Sequence, residues 1–151
     1  MSGHASLPVE LRDITAATVR AICGLEVAEE QRDYVAPVAV SIAQAHFEPR
    51  ATFRAIYAGD EPVGFMLWRD DDKRGNAYLW RFMVDRRHQG KGYGRGALAQ
   101  AFAMMKARGV TMLSTSVVRG EHSPLGFYLS IGFIEANEVT SSGEWLILKS
   151  L

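Results

Sequence analysis

The segment with the clearest chemical capacity is Val84-Asp85-Arg86-Arg87-His88-Gln89-Gly90-Lys91-Gly92-Tyr93-Gly94-Arg95-Gly96. Four of the chain's 14 glycines, Gly90, Gly92, Gly94 and Gly96, fall within seven residues. They follow an apolar run that reads as a strand and precede a helical pattern. Glycine lets a ligand approach the main chain, and four in so short a span cost more backbone entropy than tight packing alone requires. The first turn of a helix adds unpaired N–H groups and the positive end of its dipole. A phosphate or pyrophosphate is the natural guest, with Lys91 and Arg95 contributing charge and Arg86, Arg87 and His88 available at the rim. A P-loop would need Ser or Thr after Gly-Lys, but Gly90-Lys91 is followed by Gly92. Gly92-x-Gly94-x-x-Ala97 loosely matches the dinucleotide fingerprint, which normally opens a domain; here only about a third of the chain follows it.

The elements around this turn form one series. Residues 9–14 alternate apolar and polar, as a first strand does. Thr15 is placed to cap a helix carrying Val19, Ile22 and Leu25, weakened by Gly24. A charged stretch, 26–33, leads to a second helix over 38–47 that Pro49 closes. Strands at 52–57, 63–68 and 77–84, separated by turn-rich segments, predict an antiparallel set. Leu98, Ala101, Phe102 and Met105 mark the helix after the glycine turn, ending near Gly109. A strand at 110–118, a helix at 124–131 and a hairpin of 134–139 with 144–149 complete the order β-α-α-β-β-β-α-β-α-β-β. This is a mixed α/β domain spanning 1–151.

Composition bounds the function. The 151 residues suit one domain with a sizeable core, and 48% hydrophobic with 23% charged residues is ordinary globular usage. Seventeen basic and seventeen acidic residues give zero net charge, so no general field draws nucleic acid or an anionic membrane. The single cysteine, Cys23, excludes an internal disulfide and a multi-thiolate zinc site, and reads as a small hydrophobe. His4, His46, His88 and His122 are too dispersed for a metal site, so no metal is expected. No apolar run approaches the ~18 residues that span a bilayer. Residues 1–6 have neither the basic flank nor the apolar stretch of a signal peptide, making a cytoplasmic protein the expectation.

Gln89-Gly90-Lys91-Gly92-Tyr93-Gly94 resembles the Gln/Arg-x-x-Gly-x-Gly/Ala signature of the GNAT superfamily of N-acetyltransferases. The preceding Leu79-Trp80-Arg81-Phe82-Met83-Val84 also fits, and Phe127-Tyr128-Leu129-Ser130-Ile131-Gly132-Phe133 looks like the family's Phe-Tyr-x-x-x-Gly-Phe segment. Residues 27–35 and 41–45 are similar to bacterial spermine/spermidine N-acetyltransferases. The resemblance implies a mostly antiparallel sheet with one splayed parallel pair, and acetyl-CoA as co-substrate. Its pyrophosphate would sit on Gln89, Gly90, Lys91, Gly92, Tyr93 and Gly94 with Arg95 adjoining. Its pantetheine arm would pair with Phe82, Met83 and Val84, an N–H near Met83 or Val84 polarising the thioester carbonyl. Tyr128 matches the family's acid toward the departing thiolate. The family's asparagine before the Phe-Tyr pair is missing from Gly120-Glu121-His122-Ser123-Pro124; Ser123 or His122 can replace it, and Ser123 can equally cap the helix begun by Pro124.

The acceptor amine must be neutral to attack, which requires a general base, directly or through water, or an acidic site that releases its proton. Glu26, Glu29, Glu30 and Asp33 stand beside the loop that shapes the acceptor site in this fold, and Glu30 and Asp33, three apart, can share a face. Glu30 is the candidate base, with Glu26 and Asp33 on the substrate, and Glu144 in the closing hairpin is a second candidate base. Tyr34, Tyr78 and Trp80 can line an acceptor channel. Arg81, where animal polyamine acetylases present acids, would repel a polycation unless neutralised. The resemblance predicts direct transfer to a small-molecule amine, a polyamine first, with the closing strands available to pair two copies as a homodimer. A protein N-terminus, lysine, aminoglycoside or amino acid are alternative acceptors, and a non-catalytic acyl-CoA-binding module is the rival from another class.

Overall fold

The computed structural model describes residues 8–151, so His4 and the expectation about residues 1–6 lie outside it. The strands are β1 (Val9–Arg12), β2 (Ala51–Ala58), β3 (Glu61–Asp70), β4 (Asn76–Val84), β5 (Met112–Val117), β6 (Ile134–Val139) and β7 (Trp145–Ser150). The helices are α1 (Val19–Cys23), α2 (Val38–His46), α3 (Tyr93–Ala107) and α4 (Leu125–Ser130). The expected element order therefore holds, with short 3₁₀ turns added at Glu29–Gln31 and Arg86–His88.

All seven strands form one sheet in the order β1-β2-β3-β4-β5-β7-β6. Every neighbouring pair is antiparallel except β4 with β5, which is parallel. The hairpins β2–β3 and β6–β7 come from their Gly-bearing turns, and Gly59 and Gly143 both take positive φ there. Between β4 and β5 the chain crosses over through α3, as a parallel pair requires.

Each face of the sheet is covered. Ala97, Leu98, Ala101 and Met105 of α3 and Tyr128 of α4 pack with Ile56, Met66, Leu79 and Leu113 on one side. Ile22 of α1 and Val38 and Ala45 of α2 pack with Ala55, Phe65, Leu67 and Met83 on the other. β3, buried on both faces from Val63 to Trp68, consequently reads as a near-continuous apolar run.

Two local readings change. Thr15 does not cap α1 with its side chain; its N–H donates to Thr18 Oγ1 at 2.9 Å, and its carbonyl accepts from Val19 N–H. The reason is a turn at 16–18 that delays the helix, leaving five residues before Gly24. The strand expected at 110–118 spans Met112–Val117, because Val110 N–H closes α3 on the Met105 carbonyl across Gly109, whose φ is +94°.

Candidate active site

The cleft begins where β4 and β5 separate. Their ladder covers only Asn76–Tyr78 against Met112–Ser114, yet β4 runs on to Val84 and β5 to Val117. Where main-chain pairing stops, side chains span the gap: Thr115 Oγ1 donates to the Leu79 carbonyl at 2.7 Å, and Tyr78 Oη lies 2.5 Å from Ser116 Oγ. Beyond them the strands diverge into an open cleft of about 1000 Å³, at the upper end of the ~300–1,000 Å³ range of ligand sites. Main-chain groups on the β5-facing edge of residues 79–83 have no strand partner there, which is the requirement for pairing with an extended guest.

A bulge in β4 sets what faces this cleft. Leu67 pairs with Arg81 but Trp68 pairs with Leu79, so Trp80 is an extra residue. Ala77 and Leu79 face the α3 side, whereas Met83, of the same parity, faces the α2 side. Trp80 and Arg81 are turned together to the α2 face, where Arg81 Nη2 donates to Gln44 Oε1 at 3.0 Å.

The glycine turn closes one end. Gly90 and Gly92 take φ of +77° and +82°, the left-handed region that favours glycine. A Cβ on Gly90 would meet no atom within 4 Å, so its main chain is open to a ligand. Gly92 caps α3, and Tyr93, Gly94 and Arg95 form its first turn facing the cleft. Gly94 permits close packing, since a Cβ there would lie 3.0 Å from the Phe82 ring. The Gln89 side chain has a structural part: Nε2 donates to the Val84 carbonyl at 2.9 Å and to Gln31 Oε1 at 2.8 Å. Lys91 is exposed and does not line the cleft, and Arg95 Nη2 donates to Ser130 Oγ at 3.0 Å.

Asp85 anchors the turn from beneath. Its carboxylate accepts from the N–H groups of Glu26 and Arg87, at 2.9 and 3.2 Å, and from Arg87 Nε at 3.0 Å. Burial alone would raise this carboxyl, but the hydrogen bonds from Glu26 and Arg87 outweigh it and hold the group below the ordinary carboxylate range.

Tyr128 lines the cleft from α4, packed against Phe133 and near Phe82, with ring centroids 5.2 and 6.5 Å away. Burial pushes its phenol well above the ordinary value, and the nearby Tyr78 adds to the shift. The group is thus held protonated, the state a proton donor needs. Ser123 Oγ accepts from Leu125 N–H at 3.2 Å, so the serine caps α4 while still lining the cleft with His122.

The acceptor-side residues divide. Asp33, Tyr34, Trp80 and Arg81 line the cleft together with Tyr78 and Glu144. Glu30 does not line it; it is exposed on the 3₁₀ turn Glu29–Gln31, where Glu30 and Asp33 fail to share the cleft face. The Glu26 carboxylate lies 3.8 Å from Arg32 and 4.0 Å from Arg86, beside a smaller adjoining cavity. Tyr34 reaches across the mouth: a Cβ on Gly120 would be 2.6 Å from its hydroxyl, so the 27–37 and 118–124 loops meet over the cleft. Burial lowers the Arg81 guanidinium from its ordinary value, opposed by the charges of Tyr78 and Glu144.

Three residues that the sequence reading passed over take part. Gln31 joins the acceptor loop to the glycine turn, accepting from Ala28 N–H at 3.1 Å as well as from Gln89. Thr115 and Ser116 hold the apex of the splay. The run Ser114-Thr115-Ser116 inside an apolar strand was a visible signal, but only pairing shows what those hydroxyls meet. Among the described residues no cluster of three or more His, Cys, Asp or Glu could hold a metal ion. Nor is any helix there long and apolar enough to cross a membrane.

Comparison with known proteins agrees with this geometry. The chain is 27% identical over 159 aligned residues to the spermine/spermidine N(1)-acetyltransferase of Bacillus subtilis (strain 168), covering 96% of this chain and all of that protein. Among solved structures, an acetyltransferase from Thermus thermophilus superimposes with a TM-score of 0.72 at 22% identity, covering 97% and 99% of the two chains. The PaiA N-acetyltransferase from Thermoplasma acidophilum in complex with coenzyme A gives 0.70 at 17% identity, covering 95% and 99%. At these identities the structures share the fold. The family model for acetyltransferase (GNAT) matches residues 10–133, and with the splayed strands and glycine turn in place the chain belongs to that family and is an N-acetyltransferase.

Proposed function

We propose that the protein transfers the acetyl group of acetyl-CoA directly to a primary amine of a small molecule, with a polyamine as the acceptor. The observation that carries this reading is the division of one cleft between an amide-rich end at residues 89–95 and a face bearing Asp33, Glu144 and three aromatic rings. The open Gly90, the first turn of α3 and the unpaired edge of β4 fit the pyrophosphate and extended arm of acetyl-CoA. When bound, that co-substrate supplies an acetyl group activated as a thioester. In this reading Tyr128 donates its proton to the departing thiolate, which its burial supports by keeping the phenol protonated. The Bacillus relative's name supports a polyamine, and Asp33 and Glu144 give the acceptor face two carboxylates for a polycation.

The test follows CoA thiol release with spermidine, spermine, a lysine peptide, an aminoglycoside and amino acids as separate acceptors. Release above the hydrolysis blank that is strongest with the polyamines is the expected result. Preference for another acceptor would discard the polyamine and keep acetyl transfer. Tight acetyl-CoA binding with no release across the panel would overturn the reading.

A further inference from the structure

At the apex of the splay three side chains form a hydrogen-bonded row. Ser116 Oγ donates to Glu144 Oε1 at 2.9 Å, and Tyr78 Oη stands 2.5 Å from the same Ser116 Oγ. Because a carboxylate only accepts, the Ser116 proton is committed to Glu144, and so Tyr78 is the donor to Ser116. The lone pairs of Tyr78 are thereby left for the cleft, which all three residues line. The row is braced from outside: the Arg69 guanidinium lies 5.0 Å over the Tyr78 ring, Glu144 N–H donates to Thr140 Oγ1 at 3.1 Å, and Ser142 Oγ donates to Glu144 Oε2 at 3.4 Å.

From this we infer that Tyr78, Ser116 and Glu144 form a proton relay that deprotonates the acceptor ammonium, with Glu144 as the terminal base in place of Glu30. The inference rests on the acetyl-transfer reading and adds to it the route of the proton. A primary amine of pKa ~10.4 is neutral in only roughly one molecule in a few thousand at pH 7. The ammonium donates to Tyr78 Oη; as its proton transfers there, the Tyr78 proton passes to Ser116 Oγ and the Ser116 proton to Glu144. The neutral amine then attacks, its N–C bond forming as the C–S bond of the thioester breaks. Tyr128 gives its proton to the departing thiolate, and the second proton lost by the nitrogen passes through water to Tyr128 and restores it. Glu144 releases the first proton to water, so that one proton is released per turnover. The relay lies on the α2 side of the splay and Tyr128 on the α4 side, near enough that Tyr78 raises the Tyr128 phenol. The titratable and charged groups facing Glu144 are Tyr78 and Arg81 of β4. β5 presents Ser116, and the hairpin itself presents Thr140 and Ser142. Arg119 instead stacks on Trp145 and pairs with Glu135.

The experiment compares wild type with Glu144→Gln, Ser116→Ala, Tyr78→Phe and Ser116→Thr, measuring kcat and both KM values from near neutrality to pH ~10. The expected result is a loss in kcat of about 10²-fold at neutral pH for the first three, the lower end of general-base effects. That loss should shrink as pH approaches the amine pKa, because the acceptor then arrives neutral. KM for acetyl-CoA should stay unchanged, and Ser116→Thr, which keeps the hydroxyl, should recover most of the rate. A CoA-induced rise in Tm retained in every variant shows that each still folds. Full activity in Glu144→Gln and Ser116→Ala, or a loss constant across pH, would overturn the relay while leaving acetyl transfer standing. No acceptor-dependent release by wild type would overturn both.

Discussion

Burial among Phe82, Phe127 and Phe133 strongly disfavours the charged form of Tyr128, so its hydroxyl keeps its proton at neutral pH. Removing that hydroxyl while keeping the ring should leave packing intact and cost turnover. Tyr128→Phe is expected to lower kcat by about 10²-fold with little change in KM, measured by thiol release at saturating substrates. Asp85 is the opposite case, a carboxyl held below its ordinary range by hydrogen bonds from Glu26 and Arg87 that outweigh burial. Its contribution is present above the unfolded value of about 3.9 and is lost as pH falls through the lower folded value. Asp85→Asn should therefore reduce stability by about 1–3 kcal/mol at pH 7 and much less in acid. Urea unfolding at the two pH values measures the difference, and an equal loss at both would refute the assignment.

At the scale of elements, glycine and the bulge decide how strand and turn meet the cleft. Gly90 has open space but a left-handed backbone, so Gly90→Ala acts through conformation alone, costing about 1–2 kcal/mol. The expected result is a raised KM for acetyl-CoA with kcat at saturation nearly unchanged, read from steady-state kinetics. Gly64 is the reverse, since a Cβ there would stand 2.4 Å from the Met83 carbonyl oxygen. Gly64→Ala must push β3 from β4 and should destabilise the protein by about 1–3 kcal/mol, seen as a lower urea midpoint. The Trp80 bulge was hidden in the sequence, because residues 77–84 alone read as a plain strand. Period-two alternation would place Ala77, Leu79, Arg81 and Met83 on one face; the extra residue sends Arg81 and Met83 to the other.

For the whole molecule, one sheet with a core on each face leaves a cleft of about 1000 Å³ where the parallel pair separates. A ligand there contacts β4, α3, α4 and the 27–37 loop at once and so couples binding to global stability. CoA at about 100 times its Kd should add ~2.7 kcal/mol, which for a chain of this size raises Tm by roughly 5–11 °C. A thermal melt with and without CoA checks this, and no shift would contradict binding in the cleft. Element order and the glycine turn before α3 were legible in the sequence, because helical and strand periodicity and glycine conformational demand are local properties. Tyr128 came instead from the likeness of residues 127–133 to the family's Phe-Tyr segment. Sequence reasoning put Glu30 forward as the base, with Glu144 behind it. Carboxylates on a loop and in a hairpin look alike in one dimension, and it is the β5–β7 pairing that carries Glu144 to Ser116 and Tyr78. The tertiary structure alone decided which acids face the cleft, since that depends on contacts between residues 28 to 38 positions apart, a separation over which no local pattern operates.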